Sequence, residues 1–187
     1  MKILGLGYQS GVGKDLCADY IQEQYGFLKR PFAYHLKVSA HESYGHLGVR
    51  EPDYYEGPSK EERRNETYGP LNWNIVQFWV HMNTLCVPEP RHWIDLNLNG
   101  FKEGNNYVIP DVRKEIEIQA IKELGGHVAW VNRSVPDKPE AKIDNQLRGK
   151  ENLFDYTIDN TGSFIHTAIS IAGLMDEFFG INGTLEQ

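Results

Sequence analysis

Apolar and polar positions along the chain change period from segment to segment. Residues 2–6 form a short apolar run suited to a strand covered on both faces. From Lys14, the residues Leu16, Cys17, Tyr20, Ile21, Gln24 and Tyr25 recur at helical spacing up to Gly26. Residues 27–33 supply a second short strand, and Leu36, Ala40 and Tyr44 place a helix before Gly45. Residues 48–69 turn polar and charged, which predicts a surface excursion, partly mobile. Pro70 is placed to open a helix over residues 71–85 with Ile75, Val76, Trp79 and Met82 inward.

The second half alternates more regularly. Residues 107–112 read as a strand with Pro110 near its end, followed by a helix over 115–124 with Ile116, Ala120, Ile121 and Leu124 inward, stopped by Gly125-Gly126. Residues 127–132 return as a strand. A polar segment over 134–151 precedes a last strand at 153–158 and an amphipathic helix over about 163–179. Strands alternating with helices predict an α/β fold: a parallel sheet of about five strands with helices on both faces.

With 187 residues and 40% hydrophobic content, the chain has the material for one domain with its own core. A formal charge of -7 argues against duplex nucleic acid or an anionic membrane as partner, while leaving room for a small anion held by local basic residues. Cys17 and Cys86 form neither a zinc ribbon nor a redox pair. The apolar run at the amino terminus is too short for a secretory signal, so the expected location is the cytoplasm. The seven histidines lack the helical pair of a zinc hydrolase, and no Gly-x-Ser-x-Gly elbow occurs.

Residues 7–15, Gly-Tyr-Gln-Ser-Gly-Val-Gly-Lys-Asp, lie between the first strand and the first helix, where a phosphate-binding loop belongs. Gly11 and Gly13 let backbone N–H groups curl around phosphate oxygens, and Lys14 can reach the β and γ phosphates. The candidate nucleotide contacts are Ser10, Gly11, Val12, Gly13, Lys14, Asp15 and Leu16. Two positions depart from G-x-x-x-x-G-K-[ST]: Tyr8 stands at the first glycine and Asp15 at the final hydroxyl residue. Asp15 is suited either to the helix amino end or to holding magnesium through a water.

Together with this Gly-Lys-Asp loop, the stretches Phe32-Ala33-x-x-Leu36-Lys37, Asp111-Val112-Arg113 with Glu117, Val131-Asn132-Arg133 and Ile158-Asp159-Asn160-Thr161-Gly162 carry a resemblance. In their order and spacing they resemble the deoxynucleoside monophosphate kinases of bacteriophages, a branch of the P-loop nucleoside monophosphate kinases. Between about 45 and 100 the resemblance is poor. It implies a three-layer P-loop kinase core at 1–33, 101–133 and 153–187, an acceptor-binding insert at about 34–100 and a lid at about 134–152. It also implies transfer of the γ-phosphoryl group from ATP, with Mg2+, to a deoxynucleoside 5′-monophosphate.

On this reading Lys14, Asp111, Arg113 and Arg133 are catalytic, and Lys37, Gln77, Arg113 and Arg148 bind substrate. Phosphoryl transfer needs in-line placement and charge neutralisation rather than covalent chemistry, and a guanidinium fork suits phosphate oxygens. Asp111 is suited to a magnesium-bound water or to capping the following helix. Gln77 is suited to a base edge or to a solvated helix face. Lys60, Arg63 and Arg64 read as a solvated charge run, and Phe78 and Trp79 read as core before they read as a base platform. The partners are small nucleotides, and a homodimer is compatible with these features. Two alternatives stay open: a P-loop kinase of another metabolite, and a nucleotide binder of the same fold without turnover.

Overall fold

A computed structural model describes residues 1–56, 59–86, 89–134 and 146–181. The chain divides into two compact units, Met1–Pro31 with Phe101–Gln187, and Phe32–Gly100.

The first unit is built on β1 (Ile3–Gly7), α1 (Lys14–Tyr25), β2 (Leu28–Lys29), β5 (Tyr107–Val112), α6 (Glu115–Glu123), β6 (His127–Asn132), β7 (Tyr156–Asp159) and α7 (Phe164–Phe179). Its sheet is five-stranded and parallel throughout, in the order β2-β5-β1-β6-β7. Central β1 is buried at every residue, as a strand covered on both faces must be. Leu4 and Leu6 pack with Cys17, Ala18 and Ile21 of α1 and with Ile171, Leu174 and Met175 of α7. On the opposite face, a Cβ at Gly5 would meet Ile121 of α6 at 2.6 Å. Helices therefore flank the sheet on both sides, an arrangement compatible with three layers.

Pro110 falls inside β5 rather than at its end. It is tolerated because β2 pairs only as far as Val108, and because the β1–β5 register slips there: Gly5 faces Ile109 but Gly7 faces Val112. Cys17 and Ile21 of α1 and Ala120 and Ile121 of α6 are buried as the periodicity predicts, and other positions of these faces differ. Leu16 and Gln24 are exposed while Lys14 and Ala18 are buried, and in α6 Glu117 and Ile118 are buried while Leu124 is exposed. The second strand is shorter than predicted, and the last strand begins later. Of the expected lid, residues 135–145 lie outside the described residues.

The second unit contains α2 (Tyr34–Tyr44), α3 (Lys60–Arg64), the antiparallel pair β3 (Thr67–Tyr68) and β4 (Trp73–Asn74), α4 (Ile75–His81) and α5 (His92–Asn99). Pro70 does not open a helix; it lies in the β3–β4 turn. The helix starts instead at Ile75, because Asn74 and Gln77 cap it reciprocally: the Asn74 side chain accepts the Gln77 N–H at 3.0 Å, and Gln77 Oε1 accepts the Asn74 N–H at 2.9 Å. Val76 is exposed, and Ile75 and Phe78 face the core. Residues 48–69 are not a mere surface excursion, since Val49 and Tyr55 are buried with Ile75 and Phe78.

No helix among the described residues is long and apolar enough to cross a membrane.

Candidate functional site

The connection leaving β1 runs toward the edge strand β2, whereas those leaving its neighbours β5 and β6 run the other way, to β6 and β7, so the strand connections change direction beside β1. Ligands of open α/β sheets gather at such a switch, beyond the carboxyl ends of the strands. The loop at residues 8–13 occupies that place, between β1 and α1.

The backbone of this loop is left-handed at three residues: Tyr8 at φ 97°, Gly11 at 85° and Gly13 at 94°. Tyr8 thus holds a left-handed backbone conformation that favours glycine and makes a bulky side chain an outlier. Its ring stacks on Trp130 of β6 with centroids 3.7 Å apart, and Phe154 meets Trp130 edge-on at 5.1 Å. Lys14 is only 7% exposed. Its Nζ donates to the carbonyls of Tyr8 at 2.8 Å and Gln9 at 2.5 Å, folding the ammonium back over the loop.

A brace from the far end of the chain holds the loop's other side. Asn160, just beyond β7, is buried; its Nδ2 donates to the Val12 carbonyl at 2.6 Å, and its Oδ1 accepts from Thr167 Oγ1 of α7 at 2.8 Å. A Cβ at Gly13 would lie 2.4 Å from that Nδ2. Glycine is required at 13 both for its φ and for this contact. Nothing in the sequence pattern assigns Asn160 a role; the brace needs the β7–α7 corner beside the loop, which only the fold reveals.

The remaining candidates fall in separate places. Arg133 and Arg148 line one cleft of about 680 Å³ together with Tyr8, Gln9, Trp130 and Thr161. Asp111 and Arg113 sit at the end of β5, on the other side of β1 from that cleft. The turn carrying them is pinned by Glu117, whose Oε2 accepts the N–H of Arg113 at 2.6 Å and of Lys114 at 3.0 Å. Burial pushes the Glu117 carboxyl up to about 7, opposed by the Arg113 N–H and reinforced by the charge on Asp111. Asp15 is an exposed first-turn residue of α1 paired with Lys29 Nζ at 3.1 Å, and Lys29 also holds Asp19 at 2.8 Å. Leu16 is exposed. Burial raises the Cys17 thiol to about 11, which leaves it no nucleophilic character at neutral pH.

Lys37 and Gln77 belong to the Phe32–Gly100 unit. Gln77 spends its carbonyl on the α4 cap. Lys37 instead pairs with Glu56 and lies over the ring of Trp79, where Arg64 joins it. Arg64 is therefore not part of a solvated run: its Nε donates to the Tyr55 carbonyl at 3.2 Å. Among the described residues no group of three or more His, Cys, Asp or Glu is arranged to hold a metal ion.

No protein-family model matches the chain, and no curated protein is significantly similar to it.

Proposed function

We propose that the chain is a P-loop kinase that transfers the γ-phosphoryl group of ATP to a deoxynucleoside 5′-monophosphate. The observation that carries this reading is the buried Lys14 folded over a loop with left-handed backbone at Tyr8, Gly11 and Gly13, at the end of the central strand of a parallel sheet. A lysine held by two neutral carbonyls is poised to exchange them for phosphate oxygens, which bind an ammonium more strongly.

In this proposal the loop residues Ser10 to Leu16 take the ATP phosphates, and Lys14 neutralises charge on the β and γ groups. Arg133 and Arg148 contribute guanidinium groups from the adjoining cleft, and Arg113 contributes one from the turn after β5. A bound magnesium ion would supply further neutralisation of the phosphate charge. Asp111, half-buried at the end of β5, and Asp15, in the first turn of α1, are the carboxylates that would hold it, through water. Acceptor recognition is assigned to residues of the Phe32–Gly100 unit.

The test is ADP release from ATP and magnesium against a panel of ribo- and deoxyribonucleoside monophosphates. Turnover on deoxynucleotides that is lost in Lys14→Met supports the proposal; turnover unchanged in that variant removes Lys14 from the mechanism. The stacked ring of Tyr8 at the first glycine position favours a second reading, a nucleotide binder without turnover. ATP binding measured by calorimetry, with no ADP formed from any acceptor, selects that reading.

A further inference from the structure

Within the Phe32–Gly100 unit, two cations converge on one carboxylate and one indole. Lys37 Nζ of α2 pairs with Glu56 Oε1, and Arg64 Nη2 of α3 donates to both Glu56 oxygens, at 3.2 and 3.1 Å. The Lys37 ammonium lies 5.0 Å from the centroid of the Trp79 ring, and the Arg64 guanidinium 5.6 Å from it. An indole face is an attractive seat for a cation, most of all where water is partly excluded. The Lys37 and Arg64 side chains are 15% and 25% exposed, whereas Glu56 is 41% exposed. The carboxylate is thus the outermost member of the cluster and the one a solute can most easily replace.

Charge points the same way. Two positive groups against one carboxylate leave a net positive charge in a half-buried place, while a phosphomonoester carries close to two negative charges at neutral pH. Seated in place of Glu56, such a group would balance both cations. The planar fork that now meets two carboxylate oxygens also fits two phosphate oxygens. Trp79 packs against a cluster containing Ala40, Met82 and Trp93, so the indole that seats the two cations is itself fixed by packing.

We propose that Lys37 and Arg64, seated on Trp79, form a phosphomonoester subsite in which Glu56 is a built-in surrogate anion that the ligand's phosphate displaces. The identity of the ligand as an acceptor nucleotide rests on the kinase reading above; the anion site does not.

The experiment measures binding of inorganic phosphate, of a deoxynucleoside 5′-monophosphate and of the matching nucleoside to the full chain by calorimetry at fixed ionic strength. Glu56→Gln, nearly isosteric and uncharged, is expected to tighten phosphate and monophosphate binding about tenfold, because the amide competes poorly for the two cations. Arg64→Ala is expected to weaken both by about tenfold or more, Arg64→Lys by less, and the nucleoside is expected to respond to none of them. If Glu56 served only to hold the fold, Glu56→Gln would leave phosphate binding unchanged or weaken it, and either result overturns the proposal. Thermal melts of each variant verify folding, and the direction of the Glu56→Gln effect decides the matter even where Arg64→Ala is unstable.

The two readings fail separately. Phosphate affinity that follows this pattern with no ADP formed from any monophosphate sustains the subsite and removes the kinase. Turnover with a KM for the monophosphate unmoved by Glu56→Gln and by Arg64→Lys sustains the kinase and removes the subsite.

Discussion

Replacing Glu117 by glutamine takes a charge away from a place that disfavours it. The side chain is 7% exposed, and its Oε2 receives the N–H groups of Arg113 and Lys114. Burial raises the carboxyl from its ordinary 4.5 to about 7. Because the folded protein holds this proton more tightly than the unfolded chain, the stability it contributes is fully present below about pH 4.5 and is lost as pH rises through 7. At about 1.4 kcal/mol for each tenfold change in proton affinity, the loss amounts to about 3 kcal/mol. Glutamine keeps an oxygen acceptor for the two N–H groups and does not titrate. The stability of Glu117→Gln relative to the parent should therefore rise by about 2 to 3 kcal/mol between pH 5 and pH 8. Urea denaturation of both proteins at several pH values, followed by tryptophan fluorescence, measures this, and the titration of groups common to both cancels in the difference. A difference that stays flat within about 0.5 kcal/mol, or that falls with pH, would refute the reasoning, because it would mean that the two N–H donors outweigh burial.

Two substitutions probe the loop itself. Gly13→Ala combines a left-handed φ of 94° with a Cβ placed 2.4 Å from Asn160 Nδ2; it should cost about 2 kcal/mol or more in thermal or urea unfolding and abolish ATP binding measured by calorimetry. Adding Asn160→Ala should recover part of that loss, and strict additivity of the two costs would show that the contact is not what excludes a side chain at 13. Tyr8→Gly relieves about 1 kcal/mol of backbone strain but gives up the stack on Trp130, worth about 0.5 to 1.5 kcal/mol, so its unfolding free energy should stay within about 1 kcal/mol of the parent. Tyr8→Ala loses the stack without relief and should be less stable than Tyr8→Gly; the reverse order would discount the strain at that residue.

What was legible in the sequence depended on how each element is stabilised. Strands buried on both faces write uninterrupted apolar runs, so β1, β5 and β6 could be located, and the glycine spacing after β1 marked the loop. The second unit has β3 and β4 of two residues each and a helix begun by the Asn74–Gln77 cap, signals too short for periodicity to register, so Pro70 was mistaken for a helix start. Individual helix positions depart from the apolar periodicity where a polar side chain takes a buried position for a reason of its own, as Lys14 does over the loop and Glu117 does under the turn of Arg113. Arg64 was concealed in the same way: a charge run reads as solvated until the carbonyl of Tyr55 and the ring of Trp79 are brought against it.

Tyr8 carries a side chain on a backbone with the positive φ that favours glycine, and its carbonyl accepts from Lys14 as the carbonyl of Gln9 does. Farther along the loop, the Val12 carbonyl accepts from Asn160, and the Gly13 carbonyl accepts the Cys17 N–H at 3.0 Å as the first bond of α1. Four of the six carbonyls from Tyr8 to Gly13 are thereby committed to donors inside the protein. Carbonyls spent inward in this way are not turned toward a bound anion, which suits the phosphate-loop role proposed for this segment. The residues that do the spending come from opposite ends of the chain, Lys14 from the first helix and Asn160 from the corner before the last. The inward bonding of these carbonyls is thus a property of the folded unit as a whole, and it changes when either residue is replaced even though every loop residue from 8 to 13 is left unchanged.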